Sequence, residues 1–251
     1  MGQENYDAMM EAKKKEQEAS STANSNPADG VLQSNEPFKM YRSRTATLMI
    51  ETQKDFGGDP RAALRTNSGE EMVKEAVATQ EYGLFKVLSR EDHPADAEWI
   101  ATPEKPMGTK LDAPDMDQTW PPHCIVGTWG HEQIEGMPAV ETYDLVISKG
   151  SQRNKHPYGP CYKGLADKTS SGLIEQLHDW ESDNVILGGF VIDWCVGIGA
   201  RELREAGFNV VINLAACAGI AEESTKKMIE DLTAIGVIFV ENAAEIKKMM
   251  H

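Results

Sequence analysis

One stretch, NVILGGFVIDWCVGIGA at positions 184–200, constrains the fold of this chain more than any other. Its apolar run passes two glycines and leads, from Gly197 onward, into a segment with apolar residues every three or four positions. That pattern is typical of a buried parallel strand followed by a helix. Cys195 then falls at the strand-to-helix turn, where unpaired N–H groups and the positive end of the helix dipole favour a thiolate. A lone cysteine in an apolar segment is more often a small core residue, so a catalytic Cys195 needs partners elsewhere in the chain.

Five more apolar runs alternate with helical patterns along the chain. The runs lie at 45–50, 84–88, 143–148, 209–214 and 237–240. The helical patterns lie at 68–80, 171–180, 221–234 and 243–249. This alternation predicts an α/β fold with three layers, α/β/α, around a six-stranded, mostly parallel, doubly wound sheet. Ser68 is predicted to cap the first of these helices, with Glu71 completing a capping box.

Two segments differ from this regular pattern. The first 36 residues are rich in Glu, Lys, Gln, Ser and Asn and offer almost nothing to bury, which predicts a disordered polar tail over 1–36 and one folded domain over 37–251. Within the tail, 5–18 has the composition of a marginal helix and 20–36 that of a linker. The segment 95–142 is long for a connection inside a domain, and such segments are usually functional.

The charge and the cysteines exclude several classes of protein. A formal charge of −15 argues against binding to nucleic acid or to an anionic membrane surface. No apolar run reaches the ~18 residues of a membrane-spanning helix, and the first residues lack the apolar core of a signal peptide. The four cysteines are widely spaced, as expected for free thiols in a reducing cytoplasm. We therefore expect a cytoplasmic protein; a homo-oligomer stays open.

Polar residues follow the apolar runs at the points where the predicted strands end. Ligands of doubly wound sheets bind beyond the carboxyl ends of the strands, which brings Glu51, Lys149 and Cys195 to one rim. An ammonium stabilises a thiolate, and a carboxylate can take the thiol proton and return it to a leaving group. Separately, Lys149 could be an ordinary strand-end residue and Glu51 a surface carboxylate paired with Lys54. Together they predict a nucleophile with its acid/base and its cation.

A second set of polar residues has the chemistry of a metal site. Glu91 and His93 are two apart on an extended segment, so both side chains point to one side, whereas Asp92 points to the other. His123, in the rigid run WPPHC, would complete an oxygen–nitrogen–nitrogen set with positions left for water or substrate. A structural or merely exposed His123 is an equally good interpretation of the residues alone.

Five motifs carry a resemblance to a known family. The chain resembles the nicotinamidases of the isochorismatase-like cysteine hydrolase superfamily from about Thr45 to its C-terminus. The matching motifs are ETQKDF, SREDHPAD, WPPHCIVGT, SKG and GGFVIDWCV. WPPHC with an upstream acid-x-His is the specific part, because it separates the metal-bearing nicotinamidases from isochorismatases, which share the fold and the cysteine but lack the metal set.

The resemblance implies a catalytic role for each residue at the rim. Cys195 would attack the carboxamide carbon of nicotinamide, ammonia would leave, and water would hydrolyse the thioester to nicotinate for NAD salvage. Glu51 would be the acid/base, and Lys149 the cation that lowers the pKa of the thiol. The backbone N–H groups of Val191 and Cys195 would form the oxyanion hole, next to a non-proline cis peptide between Phe190 and Val191.

The resemblance also implies a cofactor and a substrate pocket. Glu91, His93 and His123 would hold one divalent metal, commonly zinc, with iron or manganese as alternatives, and this metal would take the pyridine nitrogen. The residues implied in substrate binding are Phe56, Trp120, Tyr158 and Gln53.

Two carboxylates depart from the family pattern, which has aspartate in place of Glu51 and of Glu91. Each glutamate is one methylene longer, and a misplacement on the order of 1 Å can cost about a hundredfold in rate. Some members also carry a histidine where Ala97 stands, so three protein ligands are expected here. The alternatives to a nicotinamidase are hydrolysis of another small amide, such as an N-carbamoyl compound or an isochorismatase-like substrate, and a metal- and ligand-binding pseudoenzyme.

Overall fold

The structure, a computed structural model, describes residues 3–21 and 38–251, which contain six helices and eight strands. In chain order the helices α1 to α6 are Gln3–Ser21, Glu70–Thr79, Leu173–Asp179, Gly197–Glu205, Glu222–Ala234 and Ala243–Met249. The strands β1 to β8 are Thr45–Ile50, Phe85–Glu91, Lys110–Ala113, Met116–Gln118, Leu145–Lys149, Asn184–Phe190, Asn209–Ala218 and Ile238–Val240. None of these helices combines the length and the apolarity needed to cross a bilayer.

Six parallel strands form the central sheet, in the order β5-β2-β1-β6-β7-β8. The chain moves outward from β1 through β2 to β5 and then returns to β6 on the other side of β1. The strand order therefore reverses between β1 and β6, and a crevice for ligands is expected at the carboxyl ends of these two strands. The predicted α/β fold with its doubly wound sheet is confirmed, while β3 and β4 form a separate antiparallel hairpin inside the segment 95–142.

The two strands beside the crevice are buried along their whole length. On β1, Leu48 and Ile50 pack into the larger core cluster, whereas Met49 packs into a different cluster, as the period of two in a strand requires. Both faces of the sheet are thus covered. Gly189 pairs in register with Ile50 at φ 120°, and a β-carbon there would collide with the Ile50 carbonyl oxygen. A glycine is required at this point for the strand ends to lie so close together.

Element boundaries differ from the predicted ones in two instructive places. Helix α2 begins at Glu70 with Gly69 at its N-cap, and no side chain caps it, so the capping box predicted for Ser68 and Glu71 is wrong. Instead, the negative charges of two glutamates in its first turn stabilise the helix by interacting with the positive end of its dipole. Strand β2 continues beyond the predicted residue 88 to Glu91, because β5 supplies a pairing partner up to Lys149.

The amino-terminal segment contains a helix that contacts the α/β domain. On α1, Lys13 forms an ion pair with Asp144, just before β5, and the Gln17 amide donates to the carbonyl of Trp180. The structure therefore differs from the predicted disordered tail over 3–21, because these tertiary contacts stabilise a helix whose sequence alone is marginal. The rest of the predicted tail, residues 1–2 and 22–36, lies outside the described residues, and the boundary at residue 37 stays a prediction.

Candidate active site and metal centre

Three of the predicted residues meet at the carboxyl ends of the central strands. Glu51 follows β1, Lys149 ends β5, and Cys195 lies in the single π-helical turn Ile192–Val196 between β6 and α4. All three side chains are buried. The Lys149 ammonium forms an ion pair with Glu51, and the Cys195 sulfur lies within 4.8 Å of a Glu51 oxygen. The predicted acid/base, cation and thiol therefore lie side by side.

Glu51 owes its direction to an unusual backbone conformation. Its φ of 52° lies in the left-handed region, which residues other than glycine rarely adopt and which often marks a functional site. The Glu51 N–H donates to the carbonyl of Ser89 at 2.7 Å, and its carbonyl accepts from the N–H of Gln53 at 2.7 Å. With the backbone held this way, the longer glutamate side chain reaches both the thiol and the ammonium.

The charges of the three groups depend on their burial. Burial raises the pKa of the Cys195 thiol well above its usual range and the negative charge of Glu51 adds to this, while Lys149 acts in the opposite sense. Lys149 therefore lowers the pKa of the thiol, as predicted, but burial and Glu51 outweigh it. Burial also raises the pKa of Glu51 to about 7, against the effect of Lys149. The carboxylate beside the thiol thus titrates near neutral pH, as an acid/base should.

The ammonium of Lys149 remains charged in this environment. Burial alone would favour its neutral form, but the neighbouring acidic groups Cys195, Glu51 and Glu91 outweigh burial and raise the pKa of Lys149. Its other contacts are the backbone carbonyls of Pro157 at 3.3 Å and Tyr158 at 2.6 Å. A fixed cation therefore faces the thiol and the carboxylate.

The predicted metal ligands meet next to this set. Glu91 ends β2 and pairs in register with Lys149, whose Nζ lies 3.4 Å from Glu91 Oε1. Its other oxygen, Oε2, lies 2.6 Å from His93 Nε2 and 2.8 Å from His123 Nε2. Despite burial, the neighbouring His93, Lys149 and His123 side chains hold the pKa of Glu91 well below its usual range. The carboxylate is therefore ionised, as a ligand must be.

Both imidazoles are oriented by backbone carbonyls. His93 Nδ1 lies 3.0 Å from the carbonyl oxygen of Gly150, and His123 Nδ1 lies 2.7 Å from that of Pro121. A carbonyl only accepts, so each Nδ1 is the donor and each Nε2 is directed at Glu91. Metal-binding histidines almost always have such a partner on their second nitrogen. A β-carbon on Gly150 would collide with the His93 ring, which explains the glycine of the SKG motif.

His156 is a buried histidine that the sequence analysis did not identify. Its ring lies 4.4 Å from Trp99 and 5.3 Å from His93, measured between centroids, and burial lowers its pKa well below the usual range. Neither ring nitrogen has a hydrogen-bond partner within the described residues. A nitrogen of His156, nitrogens of His93 and His123, and an oxygen of Glu91 all lie within 4.8 Å of one another. Carboxylate and imidazole donors at this spacing fit a divalent transition metal.

The thiol opens into a small cleft with aromatic walls. The space between its side chains is about 250 Å³, which includes the part of the mouth that is open to solvent. The lining residues predicted from the sequence are Phe56, Trp120, Tyr158, Val191, Cys195, Glu91 and His123. The lining residues that the sequence analysis missed are Leu64, His156, Trp194 and Ile220. A larger cavity of about 680 Å³ lies along β5 and contains neither the thiol nor the histidines.

The aromatic walls are joined by hydrogen bonds and ring contacts. Trp120 Nε1 donates to the Tyr158 hydroxyl at 3.1 Å, and this hydroxyl donates to Asp117 on β4 at 2.6 Å. Trp194 meets Trp120 edge-on at 5.1 Å between centroids, and Phe56 meets His123 edge-on at 5.6 Å. The β3–β4 hairpin thus holds part of the pocket wall.

Of the predicted site residues Gln53 and Val191, only Val191 lines the cleft. Gln53 does not line the cleft: its amide donates to the Glu91 carbonyl at 2.8 Å and accepts from the Glu91 N–H at 2.8 Å. The predicted substrate contact is therefore wrong for this residue, whose polar groups are already used in holding Glu91. Val191 lines the cleft after the predicted cis peptide with Phe190, which is confirmed. Its role as an oxyanion donor stays a prediction.

The chain is similar to proteins of known family. The Isochorismatase domain family matches residues 45–244. A nicotinamidase from Acinetobacter baylyi is 34% identical over 122 residues, which cover 47% of this chain and 55% of that protein, so the chain spans about half the length of this curated relative.

Two solved structures show the same fold. The crystal structure of PnC1 from L. infantum in complex with nicotinate has a TM-score of 0.69 at 23% identity and covers 86% of this chain and 99% of that one. Pyrazinamidase of Pyrococcus horikoshii in complex with zinc has a TM-score of 0.62 at 22% identity and covers 78% of this chain and 98% of that one.

Proposed function

We propose that this chain, which belongs to the isochorismatase domain family, is a cysteine amidohydrolase that converts nicotinamide to nicotinate and ammonia. The observation that carries the proposal is the convergence of the Glu51 carboxylate, the Lys149 ammonium and the Cys195 thiol in one cleft beside a set of metal-type ligands. The name of the A. baylyi relative, a nicotinamidase, supports the same activity. In a cell the reaction would return nicotinamide to NAD synthesis.

The cleft supports a small, flat, aromatic amide as substrate. The cleft is small, since its space counted out to the solvent is about 250 Å³. Phe56 and Trp120 offer ring faces and edges to a pyridine, and Cys195 lies in the same pocket for the carboxamide. The complex of PnC1 from L. infantum with nicotinate supports a pyridine carboxylate as the product.

The first half of the reaction forms a thioester. The Cys195 sulfur attacks the carboxamide carbon while its proton passes to the Glu51 carboxylate. The negative charge that develops on the carboxamide oxygen is taken by the backbone N–H groups of Val191 and Cys195. Glu51 then returns the proton to the nitrogen, the C–N bond breaks and ammonia leaves. A pKa of about 7 suits Glu51 for both transfers.

The second half of the reaction hydrolyses the thioester. Glu51 takes a proton from water, the hydroxide attacks the same carbon, and the C–S bond breaks. The sulfur regains its proton from Glu51, and nicotinate is released. Lys149 stays an ammonium throughout and stabilises the thiolate whenever it forms, which burial of Cys195 alone would oppose.

The neighbouring ligands complete the site. Glu91, His93 and His123 would hold a divalent metal, and we propose zinc, which the pyrazinamidase of P. horikoshii contains. When bound, the ion supplies a Lewis acid for the pyridine nitrogen. The four cysteines are free, as is usual in a reducing compartment, so we propose the cytoplasm as the location.

Ammonia release from nicotinamide by purified, zinc-loaded protein tests the proposal. Cys195→Ala should abolish the release, because no other group in the cleft can form the thioester. Cys217→Ala is the matched control, since this half-buried thiol does not line the cleft. Undiminished turnover in Cys195→Ala, or no turnover in the wild type with intact metal, contradicts the proposal. A panel of amides, compared by kcat/KM, separates nicotinamide from an N-carbamoyl substrate.

A further inference from the structure

We infer that His156 is a fourth protein ligand of the metal, and that this ligand fastens the loop whose carbonyls hold the catalytic ammonium. The inference rests on the metal site of the proposed function. It starts from His156 itself, because the sequence predicts three ligands and the structure brings a fourth imidazole to the same point.

The unpartnered nitrogens of His156 are the first observation. Burying a polar group without a hydrogen bond is costly, and native structures rarely leave one so. His156 has two such nitrogens, in a ring enclosed by aromatic side chains, while His93 and His123 each have their second nitrogen on a backbone carbonyl. A metal ion between His156 and Glu91 would bind one nitrogen of His156 and remove the cost of leaving that nitrogen without a partner.

The position of His156 is the second observation. Its backbone N–H donates to the carbonyl of Asp115, in the turn of the β3–β4 hairpin, at 2.8 Å. The ring therefore enters the ligand set from the segment 150–158, while Glu91 and His93 come from the end of β2. Four donors from three separate segments surround a point from more directions than the predicted three, and zinc can still expand to five-coordinate to take the pyridine nitrogen.

The chain connection to Lys149 is the third observation. Pro157 and Tyr158 follow His156 directly, and their carbonyl oxygens accept from Lys149 Nζ at 3.3 and 2.6 Å. An ion that fixes His156 also fixes these two acceptors. Metal binding should therefore order the surroundings of the ammonium as well as the pyridine end of the substrate.

X-ray absorption spectroscopy on the zinc-loaded wild type tests the ligand count without any substitution. The scattering from imidazole rings reports how many histidines bind the ion. We expect three, from His93, His123 and His156. A count of two, with Glu91 and water completing the site, would overturn the inference.

His156→Phe tests the same point by affinity. The phenyl ring retains the packing against Trp99 and lacks both nitrogens. Competition with a chromogenic chelator should show zinc affinity reduced by more than about a hundredfold. Removing a group that only hydrogen-bonds to a metal ligand already lowers metal affinity about 10–100-fold, and loss of a ligand should cost more. His178→Phe is the matched control, since His178 is exposed on α3 and is not among the metal-type donors. Unchanged affinity in a folded His156→Phe protein, checked by circular dichroism, would contradict a ligand role.

Amide hydrogen exchange tests the connection to the loop. Peptides covering 150–158 should exchange more slowly when zinc is added to metal-free wild type, and the added zinc should have no such effect in His156→Phe. Equal slowing in both proteins would overturn the connection.

The outcomes also separate this inference from the proposed function. Zinc held by two imidazoles, with full nicotinamide turnover, would refute only the role of His156. A wild type that takes up no zinc would refute the inference and the metal site together. Bound zinc on three imidazoles without ammonia release would support His156 and contradict the proposed function.

Discussion

The two halves of the cleft are built in different ways. The catalytic half, Glu51, Lys149 and Cys195, comes from the ends of three strands of one sheet. The metal half begins on β2 with Glu91 and His93 but is completed by His123 and His156, which lie on loops between the strands. The catalytic half is thus positioned by strand register, and the metal half by contacts between distant parts of the chain.

The contacts behind the metal half show what this difference means. The loop that carries His123 is held by Asp55, whose carboxylate accepts from the N–H of Cys124 at 2.8 Å. The loop that carries His156 is held by the Asp115 carbonyl. Each loop ligand is therefore held by separate hydrogen bonds between segments far apart in the chain, such as that from the His93 N–H to the Cys124 carbonyl at 3.2 Å, whereas a strand-end residue follows a continuous ladder. We expect substitutions to separate the two halves by their effects on turnover and on metal affinity.

The largest expected effect is that of Glu51→Gln. The amide keeps the size of the side chain but cannot take the thiol proton, and general acid–base groups typically contribute about 10²–10⁴ in rate. We expect kcat to fall about a thousandfold with zinc content unchanged, measured by ammonia release and metal analysis. A variant that loses its zinc as well would break the division into two halves.

Glu51→Asp should have the next largest effect. The shorter side chain withdraws the carboxylate from the thiol and the ammonium, and a misplacement on the order of 1 Å can cost about a hundredfold in rate. We expect a loss of about that size in kcat/KM. Higher activity in this variant would mean that the left-handed backbone at Glu51 is not adjusted to the longer side chain.

Gln53→Ala should act on the metal half although Gln53 lies next to the catalytic half in sequence. It leaves the Glu91 backbone N–H and carbonyl without their partners. Zinc affinity should fall about 10–100-fold, as for other partners of metal ligands, while kcat at saturating zinc stays close to that of the wild type. A raised KM for nicotinamide without a change in zinc affinity would restore the predicted substrate contact.

The smallest expected effect is a pH dependence in the wild type. Glu51 must be ionised to accept the thiol proton, and its pKa is raised to about 7. As the pH falls through this value the active fraction falls, so kcat/KM should drop about tenfold per unit below it. Zinc-loaded protein assayed in overlapping buffers gives the profile, with bound zinc measured at each pH. A flat profile across neutrality would exclude Glu51 as the base.

The same division explains how much could be predicted from the sequence. Glu51, Lys149 and Cys195 each follow an apolar run, and the rule for ligands of doubly wound sheets brings them together. His156 has no such signal, because its place in the site depends on the hairpin at Asp115, far away along the chain. The sign of the pKa change of the thiol was also beyond a sequence argument, since it depends on the depth of burial. Gln53 was misassigned because its partner, the Glu91 backbone, belongs to the next strand.

The outermost position of β5 has a consequence for the whole protein. Within the described residues this strand is bonded on one side only, to β2, yet it ends in Lys149. Asp144, just before the strand begins, is held by the N–H of Lys86 at 2.7 Å and by Lys13 of α1. A helix remote from the chemistry therefore helps to keep the reactive amine in place. Local unfolding of this one edge strand can therefore abolish activity while the rest of the α/β domain is still folded.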